Sequence, residues 1–343
     1  MRRHHHLPAS RCPRGFSLIE LVVAMAIGLI IAAASFSAYL GAWSASKIAE
    51  AQSRMNEDAQ AALSILTQQL RMAGNNPNQP DRIDDASRRN PVYGATSYPT
   101  GAYTTSNFTL RGCDGGFKPF TGPGPDSLDN LVCKDQTADS DSLAVSYEAD
   151  LFNTIPTALG NWPSDCLGNK LSAITAKLPT PVLNVTQDVI YAVAVNRFYL
   201  GVSTSQGPSL YCKGSGLNVD GSASTPKPLV ENIEDMQFSY GAVRASTAAE
   251  DVGLAVMAGY LTAHEMITQV NMGALANDAE RWAKVVTVRI CILARSEGAV
   301  VADAASARYL KCDGTLETNP PDLRLRHAYH ATVALRNRRV DHD

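Results

Sequence analysis

The stretch Gly15-Phe16-Ser17-Leu18-Ile19-Glu20-Leu21 decides how the rest of the chain is read. Ahead of it lies a short leader whose charged residues are all basic: Arg2, Arg3, Arg11 and Arg14. Behind it runs a nearly unbroken apolar segment, Leu21 to Leu40, with one carboxylate, Glu20, at its start. About 20 apolar residues suffice for a helix to span a bilayer. Arginines before the span and almost none just after it place the leader in the cytoplasm and the bulk of the chain on the far side. Tyr39 and Trp43 stand where interfacial aromatics are expected.

An ordinary secretory signal has an apolar core of about 7–15 residues and is cut after that core. Here the apolar run is longer, and the small residue Gly15 lies in front of it. Basic leader, Gly, Phe, a Glu close behind and then a long apolar helix resemble the type IV pilin processing signature. The resemblance implies a dedicated peptidase that cuts after Gly15, followed by N-methylation of Phe16. It makes Gly15 and Phe16 the processing residues, and Phe16 and Glu20 the assembly residues. Cleavage there removes the leader charges and keeps the helix.

The chain has 343 residues, long for one domain and short for three. Without leader and helix, enough remains to bury a sizeable core. The formal charge is −3, and losing the four leader arginines takes it to about −7. A nucleic-acid-binding head is usually basic, so no nucleic-acid partner is expected. His4, His5 and His6 look like a metal tag, but they lie in the leader. Cys12 also leaves with the leader. Cys113, Cys133, Cys166, Cys212, Cys291 and Cys312 remain, an even six in an oxidising compartment, so disulfides are expected. Six cysteines allow 15 pairings, and the sequence does not choose among them. Pairing between neighbours in sequence is the preferred expectation: Cys113–Cys133, Cys166–Cys212 and Cys291–Cys312.

From Ser44 to Met72 there is no Pro or Gly, and Ile48, Met55, Ala59, Ala62, Leu66 and Leu70 fall on one helical face. Gly74-Asn75-Asn76-Pro77 is a stop signal. One helix from Phe16 to Met72 is therefore predicted, about 85 Å long. Its first half is apolar all round, for a membrane or a helix bundle. Its second half is amphipathic, for packing on the head. Residues 75–105 read as a loop. Period-2 strands follow, around Phe108 to Cys113, Leu143 to Tyr147, Val189 to Leu200 and Leu210 to Cys212, the last two joined through Gln206-Gly207-Pro208. Leu229 to Tyr240, Val286 to Ala294 and Tyr329 to Leu335 complete the pattern, with a short helix expected at Ala263 to Val270. The fold class expected is α+β: a long N-terminal helix packed on an antiparallel sheet head with long loops and disulfides.

The late strands carry a second resemblance. Leu229-Val230-Glu231-Asn232-Ile233-Glu234-Asp235-Met236-Gln237-Phe238 is one part of it. Trp282 leading into Val288-Arg289-Ile290-Cys291-Ile292-Leu293-Ala294-Arg295-Ser296 is another, and Thr332-Val333-Ala334-Leu335-Arg336-Asn337-Arg338 the last. Together they look like the PilW minor pilins of type IV pili; residues 75–225 match nothing recognisable. The resemblance implies a leader at 1–15, a pilin helix at 16–73 with its membrane span at about 16–42, and a periplasmic head at 74–343. It implies a single-pass inner-membrane protein that later joins the cell-surface pilus, primes assembly at or near the tip, and supports adhesion and twitching motility. The implied partners are other minor pilins, the major pilin, the prepilin peptidase, the inner-membrane assembly machinery, a large tip adhesin and membrane lipids. A J-type pseudopilin of type II secretion is the alternative within the same class. A membrane-anchored periplasmic enzyme is the alternative outside it.

No cofactor or metal is expected, and no catalytic residues. His264-Glu265-Met266-Ile267-Thr268 begins like a zinc-protease helix, but Thr268 stands where the second histidine belongs. His327 and His330 lie three apart on a strand, on opposite faces. The acidic loop with Asp126, Asp129, Asp135, Asp139 and Asp141 lacks EF-hand spacing and is expected to be solvated. Gly214-Ser215-Gly216 is not followed by a helix start, so it is not read as a phosphate cradle. Glu20 remains the residue whose placement needs a function, because a carboxylate in an apolar span is costly and usually functional.

Overall fold

Two regimes of hydropathy share one continuous helix, α1, Leu18–Met72. The computed structural model describes residues 15, 17–75, 108–118, 128–134, 140–158, 160–179, 186–203, 207–243, 257–268 and 278–337. The leader through Arg14, Phe16, nearly all of the loop read over 75–105, and Gln206 lie outside the described residues. The chain divides into two compact units, Met1–Glu50 and Ala51–Asp343.

In the first unit every residue of α1 from Leu18 to Lys47 is exposed, including Leu29, Ile30 and Phe36. This segment is long and apolar enough to cross a membrane, by length and composition. In the second unit the helix buries Met55, Ala59, Ala62, Leu63, Leu66 and Leu70. Steps of three and four residues put these side chains on one face. They join one core with residues from both of the sheets described next.

The first sheet contains β1 (Leu110–Cys113), β2 (Ser142–Ala149), β3 (Ile174–Pro179), β4 (Thr186–Ser203), β5 (Gly207–Lys213) and β6 (Lys227–Glu231). Its order is β1-β2-β4-β5-β6, with β3 also paired to the long β4. The second sheet contains β7 (Ile233–Val243), β8 (Met257–Leu261), β9 (Val285–Ala299) and β12 (Arg324–Ala334), in the order β12-β9-β7-β8. A small hairpin, β10 (Tyr309–Leu310) with β11 (Leu316–Glu317), lies between β9 and β12 in sequence. Two short helices, α2 (Ala263–Thr268) and α3 (Asp278–Ala283), lie between β8 and β9. The sheet pairings are antiparallel throughout.

The single sheet expected from the sequence is thus two sheets, and the division falls inside a run read as one strand. Leu229 to Tyr240 breaks at Asn232, which sits in the left-handed region at φ 63°. Asn tolerates that conformation better than most residues. Its Nδ2 donates to Asp58 of α1 at 3.0 Å, and its carbonyl accepts from Arg295 N–H at 2.9 Å. The chain therefore leaves the first sheet as β6 and enters the second as β7, with the helix holding the pivot. Beyond it Met236, Phe238 and Tyr240 are buried, and Tyr240 meets Trp282 edge-on at 4.8 Å between centroids.

Three disulfides close the head: Cys113–Cys133, Cys166–Cys212 and Cys291–Cys312, with Cα separations of 5.3, 6.6 and 5.7 Å. All join neighbours in the cysteine order. Loops of 20, 46 and 21 residues are closed. Each closure is worth about 3–4 kcal/mol in the loop-entropy model.

Candidate functional site

The start of α1 is closed by two residues, Ser17 and Glu20. Glu20 N–H donates to Ser17 Oγ at 3.2 Å, and Ser17 N–H donates to the Glu20 carboxylate at 2.9 Å. This reciprocal pair is a capping box, which satisfies two of the orphan donors at a helix start. The negative carboxylate also lies at the positive end of the helix dipole. Glu20 is therefore held at the head of the span by its own chain. Its carboxylate rests on the N–H one residue beyond Phe16.

Gly15 shows no internal need to be glycine. A Cβ built there would meet no atom within 4 Å. The same holds for Gly28 and Gly41 along the apolar half. The next basic residue after this helix start is Lys47, whose ammonium lies 3.7 Å from the centre of the Trp43 ring. No cation of the described first unit other than Lys47 follows Glu20 before the head begins. Phe16 itself lies outside the described residues.

The other sequence candidates have structural duties. Glu265 N–H donates to Thr262 Oγ1 at 3.3 Å, and Thr262 N–H donates to the Glu265 carboxylate at 2.9 Å. The His264-Glu265 pair thus belongs to the capped start of α2. Asp114 adds a second anchor there, accepting from Ala263 and His264 N–H at 2.9 and 3.0 Å. His327 meets Tyr329 edge-on at 4.8 Å, and His330 Nε2 lies 4.0 Å from Cys291 Sγ. Asp126, Asp135 and Asp139 lie outside the described residues.

Asp141 corrects the reading of a solvated acidic loop. It is 5% exposed, and its carboxylate accepts from Phe238 N–H at 2.7 Å. Burial pushes its pKa up to about 7 against that hydrogen bond, and the nearby charges of Asp114 and Asp235 push the same way. Sequence reading missed it because an aspartate beside Ser140 in a Gly/Pro/Asp loop reads as surface.

Three further polar centres were also hidden in the sequence. Asn196, fully buried, donates from Nδ2 to Gln69 Oε1 at 2.8 Å and to Tyr147 Oη at 3.2 Å. Its Oδ1 accepts from Cys166 N–H at 3.2 Å, so one amide joins α1, β2, β4 and the Cys166 loop. Burial pushes the Tyr147 hydroxyl up to about 12. Arg326, with a fully buried side chain, donates to Asp322 at 2.7 Å and to Glu234 at 3.1 Å. Asp165 is buried behind Gly214 and Gly216, where a Cβ on Gly214 would stand 2.1 Å from its Oδ2. The Gly214-Ser215-Gly216 run makes room for that carboxylate. A Gly-x-Gly outside a turn was the available signal for a close approach.

Comparison with known proteins agrees with both sequence resemblances. The family model described as type IV pilus-assembly protein W matches residues 197–337. The prokaryotic N-terminal methylation motif matches residues 10–36. A search of curated proteins matched nothing. Among solved structures, a type IV-like pilin from Thermus thermophilus is similar at 12% identity, covering 59% of this chain and 81% of its own, with a TM-score of 0.24. The apolar helix and the methylation motif point to membrane anchoring and pilus association. The PilW match and the long helix on a disulfide-closed antiparallel head point to a structural rather than a catalytic role. With that module behind that motif, the chain is a type IV pilin-like protein carrying a PilW domain.

Proposed function

We propose that this chain is a minor pilin of a type IV pilus. The prepilin peptidase cuts after Gly15, and Phe16 becomes the methylated amino terminus. The helix over 16–73 holds the protein in the inner membrane through a span at about 16–42, with the head over 74–343 in the periplasm. The protein then enters a complex with other minor pilins, the major pilin and a large adhesin. There it primes assembly at or near the fibre tip and so supports adhesion and twitching motility.

The observation that carries this reading is the pairing of an exposed apolar helix with Glu20 at its head. In lipid, the capping box keeps the carboxylate hydrogen-bonded near the interface at tolerable cost. In a fibre the same helices pack into a nearly dry bundle, where an unpaired charge costs several kcal/mol. The ammonium freed on Phe16 of an adjacent subunit supplies the cation. The pair is favourable only at the correct axial offset, so it sets register. The lack of any steric demand for glycine at position 15 leaves recognition by the peptidase as its reason.

Glu20→Ala tests this. The apolar span and the Gly15 cut site stay intact, so insertion, cleavage and head folding are expected to be normal. Loss of piliation, or of entry into the sheared pilus fraction, is expected on complementing a deletion strain. Parental piliation by Glu20→Ala would sink the intersubunit pairing.

A further inference from the structure

The head carries a groove of about 730 Å³ between the loop around Trp162 and the turn after Leu217. Trp162, Leu171, Leu217 and Val219 are in its apolar lining, and Lys170 is the charged residue among its described polar ones. That volume lies inside the range of about 300–1,000 Å³ typical of ligand pockets.

Both walls are fixed from behind. The buried Asp165 carboxylate accepts from Leu167 N–H at 2.8 Å, Asn169 N–H at 3.0 Å and Gly216 N–H at 2.9 Å, so one side chain pins both walls. The Cys166–Cys212 disulfide ties the Trp162 wall to β5. Leu217 N–H donates to Lys170 carbonyl at 2.8 Å, and Asn169 Nδ2 donates to Ser224 Oγ at 2.8 Å. Trp162 Nε1 donates to Leu171 carbonyl at 2.8 Å, which fixes the ring. A groove preformed in this way binds at a reduced ordering cost.

The side chains presented outward are those a soluble surface avoids. Val219 is 98% exposed, and Ile155 is 79% exposed. Ile155 belongs to the Trp162 wall, because its carbonyl accepts from Ser164 Oγ and Thr157 N–H donates to Trp162 carbonyl at 2.9 Å. Clustered exposed apolar groups around a groove mark an interaction surface. Its charge is one-sided. Among the described residues no carboxylate lines it. Asp165 is turned inward, and Asp220 at the turn is engaged by Ser222 N–H and Oγ at 2.9 and 2.6 Å. Lys170 has no carboxylate partner among the described residues.

We propose that this groove docks an extended segment of another pilus subunit, with an apolar side chain against Trp162 and a neighbouring Asp or Glu paired to Lys170. The proposal rests on the pilin reading above and names the chemistry of one partner. The apolar rim favours a polypeptide, since a saccharide would leave Val219 and Ile155 facing hydroxyls.

The test places the photo-reactive residue p-benzoylphenylalanine at position 219 or at position 29 of the full chain in piliated cells. Position 219 is almost fully exposed, so the head is expected to keep its non-reducing gel mobility. From position 219, the expected cross-link is to one pilus subunit, within two residues of an Asp or Glu. Lys170→Glu is expected to cut its yield at least tenfold, and Lys170→Arg to preserve it. Four results would overturn the proposal: no cross-link, a yield unchanged by Lys170→Glu, a captured segment without a carboxylate, or capture of glycan or lipid alone. If position 29 still cross-links to pilin helices, the groove alone has failed. If neither position cross-links to a pilus subunit, the pilin reading has failed with it.

Discussion

The two halves of α1 are made of the same backbone and have opposite needs. Up to Trp43 the helix is apolar on almost every side, and up to Glu50 it buries nothing within its own unit. From Ala51 it is polar on most sides and buries six residues along one face. The first half has the surface of a helix that finds its partners in lipid or in other chains. The second half already has its partners, and its polar side chains reach into them: Asp58 to Asn232, Gln69 to Asn196. Charge follows the same division. Glu20, at the head of the apolar half, is satisfied locally, while the head encloses Asp141, Asp165 and Arg326.

This contrast can be broken by removing a buried charge partner from the head. Glu234→Ala leaves the buried guanidinium of Arg326 with Asp322 as its remaining hydrogen-bonded carboxylate. Removing one member of a buried pair costs about 3–5 kcal/mol. A large drop in melting temperature of the full chain in detergent is the expected result. An unchanged melt would mean that the ion cluster is solvated.

Matched truncations sharpen the contrast. Leu66 is fully buried in the core and Leu29 is exposed on the apolar half. Leu66→Ala should destabilise the head by about 2–5 kcal/mol. Leu29→Ala should leave the melt of the head unmoved. Equal effects at both positions would erase the distinction between the halves.

The smallest effect comes from Asp141. Its folded pKa is raised to about 7, above the ordinary 3.8. Its contribution is therefore most favourable below about pH 4, is lost as pH rises, and reaches its full penalty above pH 7. Between pH 5 and 6 this group alone removes about 1.4 kcal/mol. Asp322 runs the other way, because its hydrogen bond to Arg326 lowers its pKa. The informative quantity is therefore the difference between Asp141→Asn and the parent. The variant should keep the Phe238 hydrogen bond and gain relative stability steadily from pH 5 to 7. A constant difference across that range would contradict the buried carboxylate.

Much of this was legible because periodicity is local. The apolar run, the 3–4 spacing from Met55 to Leu70 and the alternation at Met236, Phe238 and Tyr240 each report burial from neighbouring residues. The sheet break was not legible, since Asn232 interrupts no hydrophobic alternation and turns the chain by one left-handed residue. Nor were the buried charges. Arg326 and Glu234 are 92 residues apart, and each reads as surface until its partner is known. The groove is likewise a product of distant segments, joined through Asp165 and a disulfide spanning 46 residues. The start of α1 was the reverse case. Its local chemistry is a capping box between Ser17 and Glu20, three residues apart, and the partner we propose for it lies in another molecule.

The central claim is that the chain is cut after Gly15 and polymerised through the helix that follows. Mass spectrometry of the protein recovered from sheared pili tests it most directly. The account predicts a chain that begins at N-methylated Phe16 and is present in the pilus fraction. A protein that retains residues 1–15, or that is absent from sheared pili of a piliated strain, would contradict it.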